Sequence, residues 1–434
     1  MFNPETKICQ NRFSCVNLRN QKYCIFNKIY SKNEYLKKLK EFNIGSYKNI
    51  VEFQNKSKKF WLQFPYKFIH GIKNTNTSGN YINYSKNTLK SFLINGAEDC
   101  KYCVSVSVGP VKDCYDYSIW GENAELIYES SQVGDKVSRL KFCYMCYSNN
   151  HDLEYCIMCS SSSNLFGCVG LRHKEYCILN KQYTKEEYEK LVPKIIEQMN
   201  EMPYISKNQI SNIKSLSRVE SRDQNDKSKC KNEENLKTKE IVYRYGEFFP
   251  PELSPFCYNE TISQEYFPLT KEQALEKGYS WKESEERNII PDIKTQELPD
   301  DVKDVNDNIV GKLIQCEHSK LNSDGALVAN CNEQCTTAFK IIKPELEFYR
   351  KMNLALPRLC PNCRHYQRIK QRNPLKLWHR KCQCNGDKSS NGVYKNTIEH
   401  SHGDHSCENE FETTYSSDRP EIIYCEKCYL AEVA

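Results

Sequence analysis

The C-terminal third of the sequence carries cysteines in close pairs, the spacing that zinc sites use. Cys331-x3-Cys335 is followed, after 24 residues, by Cys360-x2-Cys363. Each close pair presents two sulfurs from one turn, and two such pairs supply the four thiolates of a tetrahedral zinc ion, with zinc–sulfur distances of about 2.3 Å. The sequence therefore predicts a structural zinc site at Cys331, Cys335, Cys360 and Cys363, with Cys316 or His318 as an alternative for one ligand.

A second set of cysteines follows. The stretch "CENEFETTYSSDRPEIIYCEKCY" is typical of a zinc ribbon, in which a β-hairpin leads into Cys425-x2-Cys428 and Cys407 supplies a third ligand. The fourth ligand is open among Cys384, Cys382, His402 and His405. Cys384 is favoured, because the histidines of "EHSHGDHSC" are interpreted as solvated loop residues. Neither predicted zinc site shows an open coordination position beside a general base, so zinc catalysis is not indicated.

The stretch between the two cysteine sets is strongly basic, with eight Lys/Arg and no acid from Arg358 to Lys381. A helix that begins at Cys363 would align arginines four residues apart on one face until Pro374 ends it. Nucleic-acid-binding surfaces typically combine basic side chains, which bind phosphates, with nearby aromatic rings, which stack on bases. The predicted contacts are Arg364, Arg368, Arg372, Arg380 and Lys381. The alternatives are a solvated face, docking on the acidic residues 252–308, and a protein partner.

The first half of the chain contains an internal repeat. "NRFSCVNLRNQKYCIFNKIYSKNEY", from Asn11, matches "NLFGCVGLRHKEYCILNKQYTKEEY", from Asn164, at an offset of 153 residues. Each copy ends in a capping box, Ser31 to Glu34 and Thr184 to Glu187, which predicts a helix start because the cap hydroxyl and the acid satisfy each other's backbone amides. The second helix is expected to continue through Pro193.

Between the copies, aromatic–cysteine steps recur at intervals of 10 to 13 residues from Phe142 onward. This spacing predicts a mainly β fold with short helices, in which an N-terminal β-solenoid-like repeat module precedes tandem C-terminal zinc ribbons. An irregular β-sandwich is the alternative. One rung would bring Cys143, Cys146, Cys156 and Cys159 close enough for a third zinc site, but a ladder of buried thiols is favoured.

Composition and missing motifs narrow the class of protein. The chain has 434 residues, 24 cysteines and a formal net charge of +6. No apolar core of a signal peptide and no run of 18 apolar residues occurs, so a cytoplasmic, reducing compartment is expected, where paired cysteines bind metal more often than they form disulfides. The hydrolase, nucleotide-binding, zinc-protease and dinucleotide motifs were not found, which favours a protein that is not an enzyme.

The same observations predict the domain organisation. Residues 1–205 form the cysteine- and aromatic-rich repeat module, with helix-ended repeats at 11–42 and 164–202. Residues 206–237 are a disordered polar linker or insertion, since they are charged and nearly free of aromatics. Residues 238–308 connect to the first zinc ribbon with its basic helix, 309–381, and residues 382–434 form the second zinc ribbon.

Several long phrases resemble one known group of proteins: "FGCVGLRHKEYCILNKQYTKEEYEKL", "YGEFFPPELSPF", "YNETISQEYFPLTKEQALEKGY", "LPRLCPNCRHYQRIKQRNPLKLWHRKC" and "CENEFETTYSSDRPEIIYCEKCY". The group comprises uncharacterised cysteine-rich, zinc-ribbon-containing proteins of environmental microbial genomes and has no established activity. The resemblance implies zinc ribbons that use Cys331, Cys335, Cys360, Cys363, Cys407, Cys425 and Cys428. The chain departs from the pattern at 206–237 and at "KLNSDGALVA", which indicates insertions there.

These expectations combine into one functional prediction. The sequence predicts a zinc-binding, non-catalytic nucleic-acid-binding accessory protein with two structural Zn²⁺ ions and neither a membrane nor a small-molecule substrate. The alternative is a protein-interaction scaffold whose zinc ribbons are purely structural. Salt dependence distinguishes the two, because phosphate contacts release counterions and protein interfaces mostly do not.

Overall fold

The computed structural model describes residues 10–209, 238–283, 289–323, 325–331 and 333–433. Among these residues, no helix is long and apolar enough to span a bilayer. The predicted linker, 206–237, lies mostly outside the described residues. The described chain forms two compact units, of which the first comprises residues 1–68, 283–373 and 377–434, and the second comprises residues 69–282 and 374–376.

Strands outnumber helices. The helices are α1 Lys32–Phe42, α2 Tyr47–Trp61, α3 Lys185–Glu201, α4 Ser263–Tyr266, α5 Lys271–Glu276, α6 Lys343–Met352, α7 Pro361–Ile369 and α8 Glu426–Val433. The strands up to the first repeat sheet are β1 Gln10–Phe13, β2 Lys22–Ile25, β3 Lys28–Ile29, β4 Pro65–Lys67, β5 Gly71–Ile72, β6 Thr75–Asn83, β7 Lys86–Asn95, β8 Ala97–Glu98, β9 Val104–Val108, β10 Val111–Lys112, β11 Tyr115–Gly121, β12 Ala124–Gly134 and β13 Val137–Lys141. The remaining strands are β14 His151–Glu154, β15 Ser163–Phe166, β16 Glu175–Ile178, β17 Lys181–Gln182, β18 Tyr204–Gln209, β19 Thr238–Tyr243, β20 Ile314–Gln315, β21 Ser319–Leu321, β22 Leu327–Ala329, β23 Ala338–Phe339, β24 Trp378–Lys381, β25 Cys384–Asn385, β26 Lys388–Ser389, β27 Glu410–Thr413 and β28 Ile422–Tyr424. The predicted mainly β fold with short helices is therefore confirmed at this level.

The second unit is built on one 13-stranded sheet, β5 to β17. From β12 to β16 each strand pairs in parallel with the next, so that Ile127, Leu140, Leu153 and Leu165 lie opposite one another in turn. All four side chains are buried, which gives the sheet a continuous apolar core. The strands β7 to β12 also close into a six-stranded parallel ring, because β10 pairs with both β8 and β12. The sequence does not predict this ring.

Left-handed backbone corners explain how such short strands stack. Arg139, Phe142, Met145 and Ser148, each three residues after the last, all have positive φ values. Positive φ values recur at the same three-residue spacing in the next repeat. Each corner turns the chain after about two extended residues and brings it back beside the preceding strand. In three of the aromatic–cysteine steps the aromatic residue, Phe142, Tyr155 or Tyr176, stands at such a corner, whereas in the fourth step Gly167, which follows Phe166, takes the positive φ. The cysteine of each step is buried in the core.

The two sequence copies fold alike although they belong to different units. In each copy, a parallel strand pair and a short antiparallel return strand lead into a helix, as β1–β3 with α1 and as β15–β17 with α3. Both predicted capping boxes are confirmed, and α3 continues through Pro193. In each copy an asparagine side chain hydrogen-bonds both the amide and the carbonyl group of the equivalent valine: Asn27 those of Val16, and Asn180 those of Val169. This shared hydrogen-bonding role explains why asparagine occupies both positions.

The first unit joins the first 68 residues to the C-terminal part of the chain, whereas the sequence places residues 1–205 in one module. Strand β28 pairs in parallel with β4. All three residues of β28 are buried, so its backbone groups need a protein partner, and β4 provides one. The predicted hairpin before Cys425 is not formed, because β27 instead pairs with β24.

Candidate metal centres

The first centre is a group of four cysteines brought together by short strands and one helix. Cys316 follows β20, Cys335 precedes β23, and Cys360 caps α7, whose first turn holds Cys363. Their sulfur atoms lie within 4.8 Å of one another. Tetrahedral zinc requires sulfur–sulfur distances of about 3.8 Å, and the Sγ atoms of Cys335 and Cys360 are 3.8 Å apart. The group can therefore hold one zinc ion with little adjustment.

Backbone amides point at these sulfur atoms. The amide of Cys360 donates to Cys316 Sγ at 3.2 Å, and the amide of Thr337 donates to Cys335 Sγ at 3.3 Å. Hydrogen bonds of this kind favour the thiolate form that binds metal. Thiol hydrogen bonds from Cys316 and Cys335 also hold the pKa of Cys360 well below its usual range. The same thiol hydrogen bonds raise the pKa of Cys335, so the low pKa belongs to one thiol and not to the whole group.

Cys331 lies beside this group but belongs to another. Its Sγ atom is 3.7 Å from that of Cys363, and together with His318 and Glu333 they form a second cluster of metal-compatible side chains. The Nδ1 atom of His318 is 3.2 Å from Glu333 Oε2, and Lys370 also pairs with Glu333. The structure thus gives Cys316 the place in the tetrathiolate that the sequence prediction gives Cys331. The alternative of Cys316 as a ligand was open in the sequence.

The second centre repeats this design near the C-terminus. Its four sulfurs come from Cys382, Cys407, Cys425 and Cys428. The Sγ atoms of Cys407 and Cys425 are 3.9 Å apart, and the Cys425 amide donates to Cys382 Sγ at 3.2 Å, as Cys360 does to Cys316. This group contains Cys382 and not Cys384, the fourth ligand that the sequence analysis favours over Cys382. The two cysteines flank Gln383 across the break between β24 and β25, and only Cys382 lies beside the Cys425 amide.

Cys384 instead joins a mixed cluster with His400, His402 and Cys428. His400 Nδ1 is 3.2 Å from Cys384 Sγ, and His402 Nε2 is 3.4 Å from Cys428 Sγ. A hydrogen bond with the Cys428 thiol lowers the pKa of Cys384 to about 5. The sequence analysis does not predict His400 as a member of a metal-compatible group, although this residue belongs to the histidine-rich stretch "EHSHGDHSC". His405, also considered as a ligand, is exposed and lies outside this cluster.

The four repeat cysteines proposed for a third zinc site do not form such a group among the described residues. Their thiols donate to carbonyl oxygens of the following repeat, for example Cys143 to Leu153 at 3.4 Å and Cys146 to Cys156 at 3.4 Å. These contacts agree with the favoured alternative, a ladder of buried thiols in the core of the sheet.

The five predicted nucleic-acid contacts are distributed over three elements. Helix α7 ends at Ile369, so that only Arg364 and Arg368 lie on it and Arg372 lies in the turn beyond, contrary to the prediction of three arginines on one helix face. Arg380 and Lys381 lie on β24. Arg368 and Lys381 are exposed, whereas Arg380 is half-buried and donates to the Ser416 carbonyl.

Arg364 and Arg368 line a groove of about 340 Å³ between α7 and α2. The other lining residues are Gln54, Lys58, Trp61, Gln367 and Gln371. Among the residues that the structure describes, no acidic side chain lines this groove. Arg364 is partly engaged inside the protein, since it donates to the Tyr349 hydroxyl and lies 4.0 Å from Glu345. Lys58 and Arg368 are therefore the cations most available to an anion.

The comparisons with known proteins identify no relative. No family model matches the sequence, no curated protein is significantly similar to it, and no solved structure matches its fold.

Proposed function

We propose that the protein is a zinc-binding, non-catalytic nucleic-acid-binding accessory protein. Two zinc ions at the tetrathiolate groups hold the C-terminal module in shape, and the groove between α2 and α7 binds a phosphate backbone. The groove is the observation that carries the proposal, because it combines exposed Lys58 and Arg368 with a tryptophan ring and three glutamines, and none of its described lining residues is acidic. Cations bind phosphates, an aromatic ring stacks on bases, and glutamines bind base edges or sugars.

The zinc and the groove are linked through α7. Cys360 caps this helix and Cys363 lies in its first turn, so a bound ion fixes the position of the helix start. Arg364 and Arg368 follow within the next two turns. The function proposed for zinc is therefore structural, since four thiolates fill a tetrahedral coordination sphere and leave no position for a substrate. Thiolate ligands must stay reduced, which favours a reducing compartment such as the cytoplasm.

We further propose that the parallel sheet of the second unit is β-solenoid-like. The pairing offsets support this interpretation, with Ala124 opposite Val137 and His151 opposite Ser163. The resemblance to the cysteine-rich zinc-ribbon group is part of the same proposal. It is supported by the cysteines of the resembling sequence segments, which lie together in the two four-cysteine groups.

A protein-interaction scaffold is the second candidate function. On β11 and β12, Tyr115 and Tyr128 lie opposite each other, and both side chains are more than two-fifths exposed. They line a groove of about 650 Å³ together with Tyr188 of α3. Exposed tyrosines in a groove are typical of protein-binding surfaces.

The decisive experiment is fluorescence anisotropy of the reduced, zinc-loaded full chain with labelled short DNA and RNA over a series of salt concentrations. The Lys58→Ala/Arg368→Ala double variant is expected to bind about tenfold more weakly and to reduce the log–log salt slope by about 2. The matched control is Lys185→Ala/Lys190→Ala on α3, which removes the same charge elsewhere and is expected to bind normally. Absence of binding at low salt would reject the nucleic-acid function and favour the scaffold.

A further inference from the structure

Two metal-compatible clusters at the C-terminus share one sulfur. Cys428 belongs to the tetrathiolate group with Cys382, Cys407 and Cys425, and also to the mixed group with Cys384, His400 and His402. In both groups the donor atoms lie within 4.8 Å of one another. A thiolate has enough lone pairs to bind two metal ions, so one shared cysteine permits two adjacent ions.

The distances in the mixed group fit a metal ion. For tetrahedral zinc, with bonds of about 2.3 Å to sulfur and about 2.0 Å to nitrogen, the sulfur–nitrogen separation is about 3.5 Å. The observed pairs are 3.2 Å for Cys384 with His400 and 3.4 Å for Cys428 with His402. The amide of Asn396 also donates to Cys384 Sγ at 3.2 Å, which favours the thiolate.

The surroundings orient His400 as a ligand. Its Nε2 atom lies 2.8 Å from Glu432 Oε1, and the two side chains are 1% and 0% exposed. The carboxylate is itself held by the Tyr394 hydroxyl at 2.8 Å and by Thr397 through its amide and its hydroxyl. A hydrogen on Nε2 donated to Glu432 leaves the lone pair of Nδ1 directed at Cys384. Such carboxylate–histidine pairs are typical of metal ligands.

His402 is oriented in the same sense by the backbone. Its Nδ1 atom lies 2.7 Å from the carbonyl oxygen of His405, which accepts a hydrogen bond and so places the ring hydrogen on Nδ1. The Nε2 lone pair then faces Cys428 Sγ. Both imidazoles thus direct a lone pair to the space between the two sulfurs, which is the arrangement that a bound cation requires.

We propose that Cys428 is a bridging thiolate in a two-metal centre, with one zinc ion in the tetrathiolate group and a second zinc ion bound by Cys384, His400, His402 and Cys428. This inference rests on the proposed zinc occupancy of the tetrathiolate. Two divalent ions neutralise most of the negative charge of the five thiolates. One ion would leave most of that negative charge without a compensating cation in the buried region around Cys384. Mixed cysteine–histidine coordination suits zinc.

A similar relationship occurs at Cys363, which is also shared by two clusters. There, however, the carboxylate of Glu333 is paired with Lys370, and His318 faces that carboxylate rather than a sulfur. The proposal is therefore limited to Cys428, where the nitrogen and sulfur donors converge.

The first test is the zinc content of the reduced full chain by elemental analysis. The His400→Gln/His402→Gln variant is expected to contain about one zinc ion per chain fewer than the wild type and to keep the cobalt–thiolate absorption of the tetrathiolate after substitution with Co²⁺. Unchanged zinc content would overturn the second site. The proposed tetrathiolate is tested separately by Cys407→Ser, which leaves the mixed group intact, and retention of all zinc there would reject the tetrathiolate instead.

The second test needs no variant and therefore does not depend on whether the double variant folds. Substitution with ¹¹³Cd is expected to give two resonances from this centre, one of the four-sulfur type and one of the mixed sulfur–nitrogen type, with scalar coupling between them through Cys428. Two uncoupled resonances, or no mixed resonance, would overturn the bridge.

Glu432 is a positioning residue for this second ion. Glu432→Gln keeps a hydrogen-bond acceptor for His400 but removes the charge, and it is expected to weaken zinc binding at the mixed site about 10- to 100-fold while the four-sulfur ¹¹³Cd resonance is unchanged. Equal weakening at both sites would show a general structural role for Glu432 and contradict the assigned one.

Discussion

The Sγ atoms of Cys331 and Cys363 lie 3.7 Å apart, yet only Cys363 belongs to the tetrathiolate group of the first centre. Cys316 completes that group. We therefore expect Cys316→Ser to lower the zinc affinity of the first centre by at least about 100-fold, because a thiolate is lost from a closed coordination sphere. Cys331→Ser leaves the four sulfurs in place and is expected to change this affinity far less. Competition with a chelator of known affinity measures both.

The control for these variants is Cys257→Ser, a half-buried cysteine outside every metal-compatible cluster of the described residues. The Cys257→Ser protein is expected to bind zinc with the affinity of the wild type. A larger loss of zinc affinity in Cys331→Ser than in Cys316→Ser would show that Cys331, and not Cys316, completes the ligand set.

Removal of zinc is expected to unfold one unit and spare the other. Both tetrathiolate groups lie in the unit that contains residues 283–373 and 377–434, and cysteines form a large part of its two apolar clusters. Structural zinc contributes folding free energy directly, so a chelator should expose this unit to proteases. The 13-stranded sheet, which spans residues 71–182, has its own core and should stay protected. Limited proteolysis with mass spectrometry measures this, and equal protection of both units would contradict structural zinc.

The sequence predicted the local features well because their causes are local. Both capping boxes depend on residues three apart, and the close cysteine pairs present two sulfurs from one turn. The buried cysteines of the repeat follow in the same way from the spacing of the aromatic–cysteine steps. The other members of the metal-compatible groups could not be predicted in this way, because each choice depends on a distant partner.

Three examples show the limit. Cys382 and Cys384 are separated by one residue, and the choice between them depends on the Cys425 amide, more than forty residues away, which donates to Cys382. His400 is selected from three histidines by the buried carboxylate of Glu432. The pairing of β28 with β4 is more remote still, since it joins opposite ends of the chain. Such contacts leave no periodicity in a single sequence.

Acid is expected to weaken the start of α2 through Asp300. Its carboxylate accepts hydrogen bonds from the Ser46 hydroxyl at 2.5 Å and from the Lys48 amide at 3.0 Å, and these hold its pKa below the usual value. The ionised carboxylate therefore stabilises the folded state above the unfolded pKa of about 3.9, and this stabilisation is lost as the pH falls through the lower folded pKa.

Asp300→Asn is accordingly expected to reduce the free energy of unfolding by about 1 kcal/mol at pH 7 and to have little effect near pH 2. Urea unfolding at both pH values measures the difference. Asp304→Asn, which changes an exposed carboxylate four residues away, is the control and should have little effect at either pH. A cost of Asp300→Asn that is independent of pH would show that the ionised carboxylate is not responsible.

The thiol ladder of the repeat sheet should contribute stability without metal. Cys143 is fully buried, and its Sγ atom lies 3.3 and 3.4 Å from the carbonyl oxygens of Lys141 and Leu153, which share its one thiol hydrogen. Cys143→Ala removes these weak hydrogen bonds and leaves a small cavity, so we expect a loss of about 1–2 kcal/mol with unchanged zinc content. Cys143→Ser keeps a donor but places a more polar group in an apolar core, and is expected to be at least as destabilising. The midpoint of urea unfolding and elemental analysis measure both quantities. A loss of one zinc ion per chain in Cys143→Ala would instead establish a third metal site in the repeat, because a thiol that only packs and donates to carbonyl oxygens holds no ion.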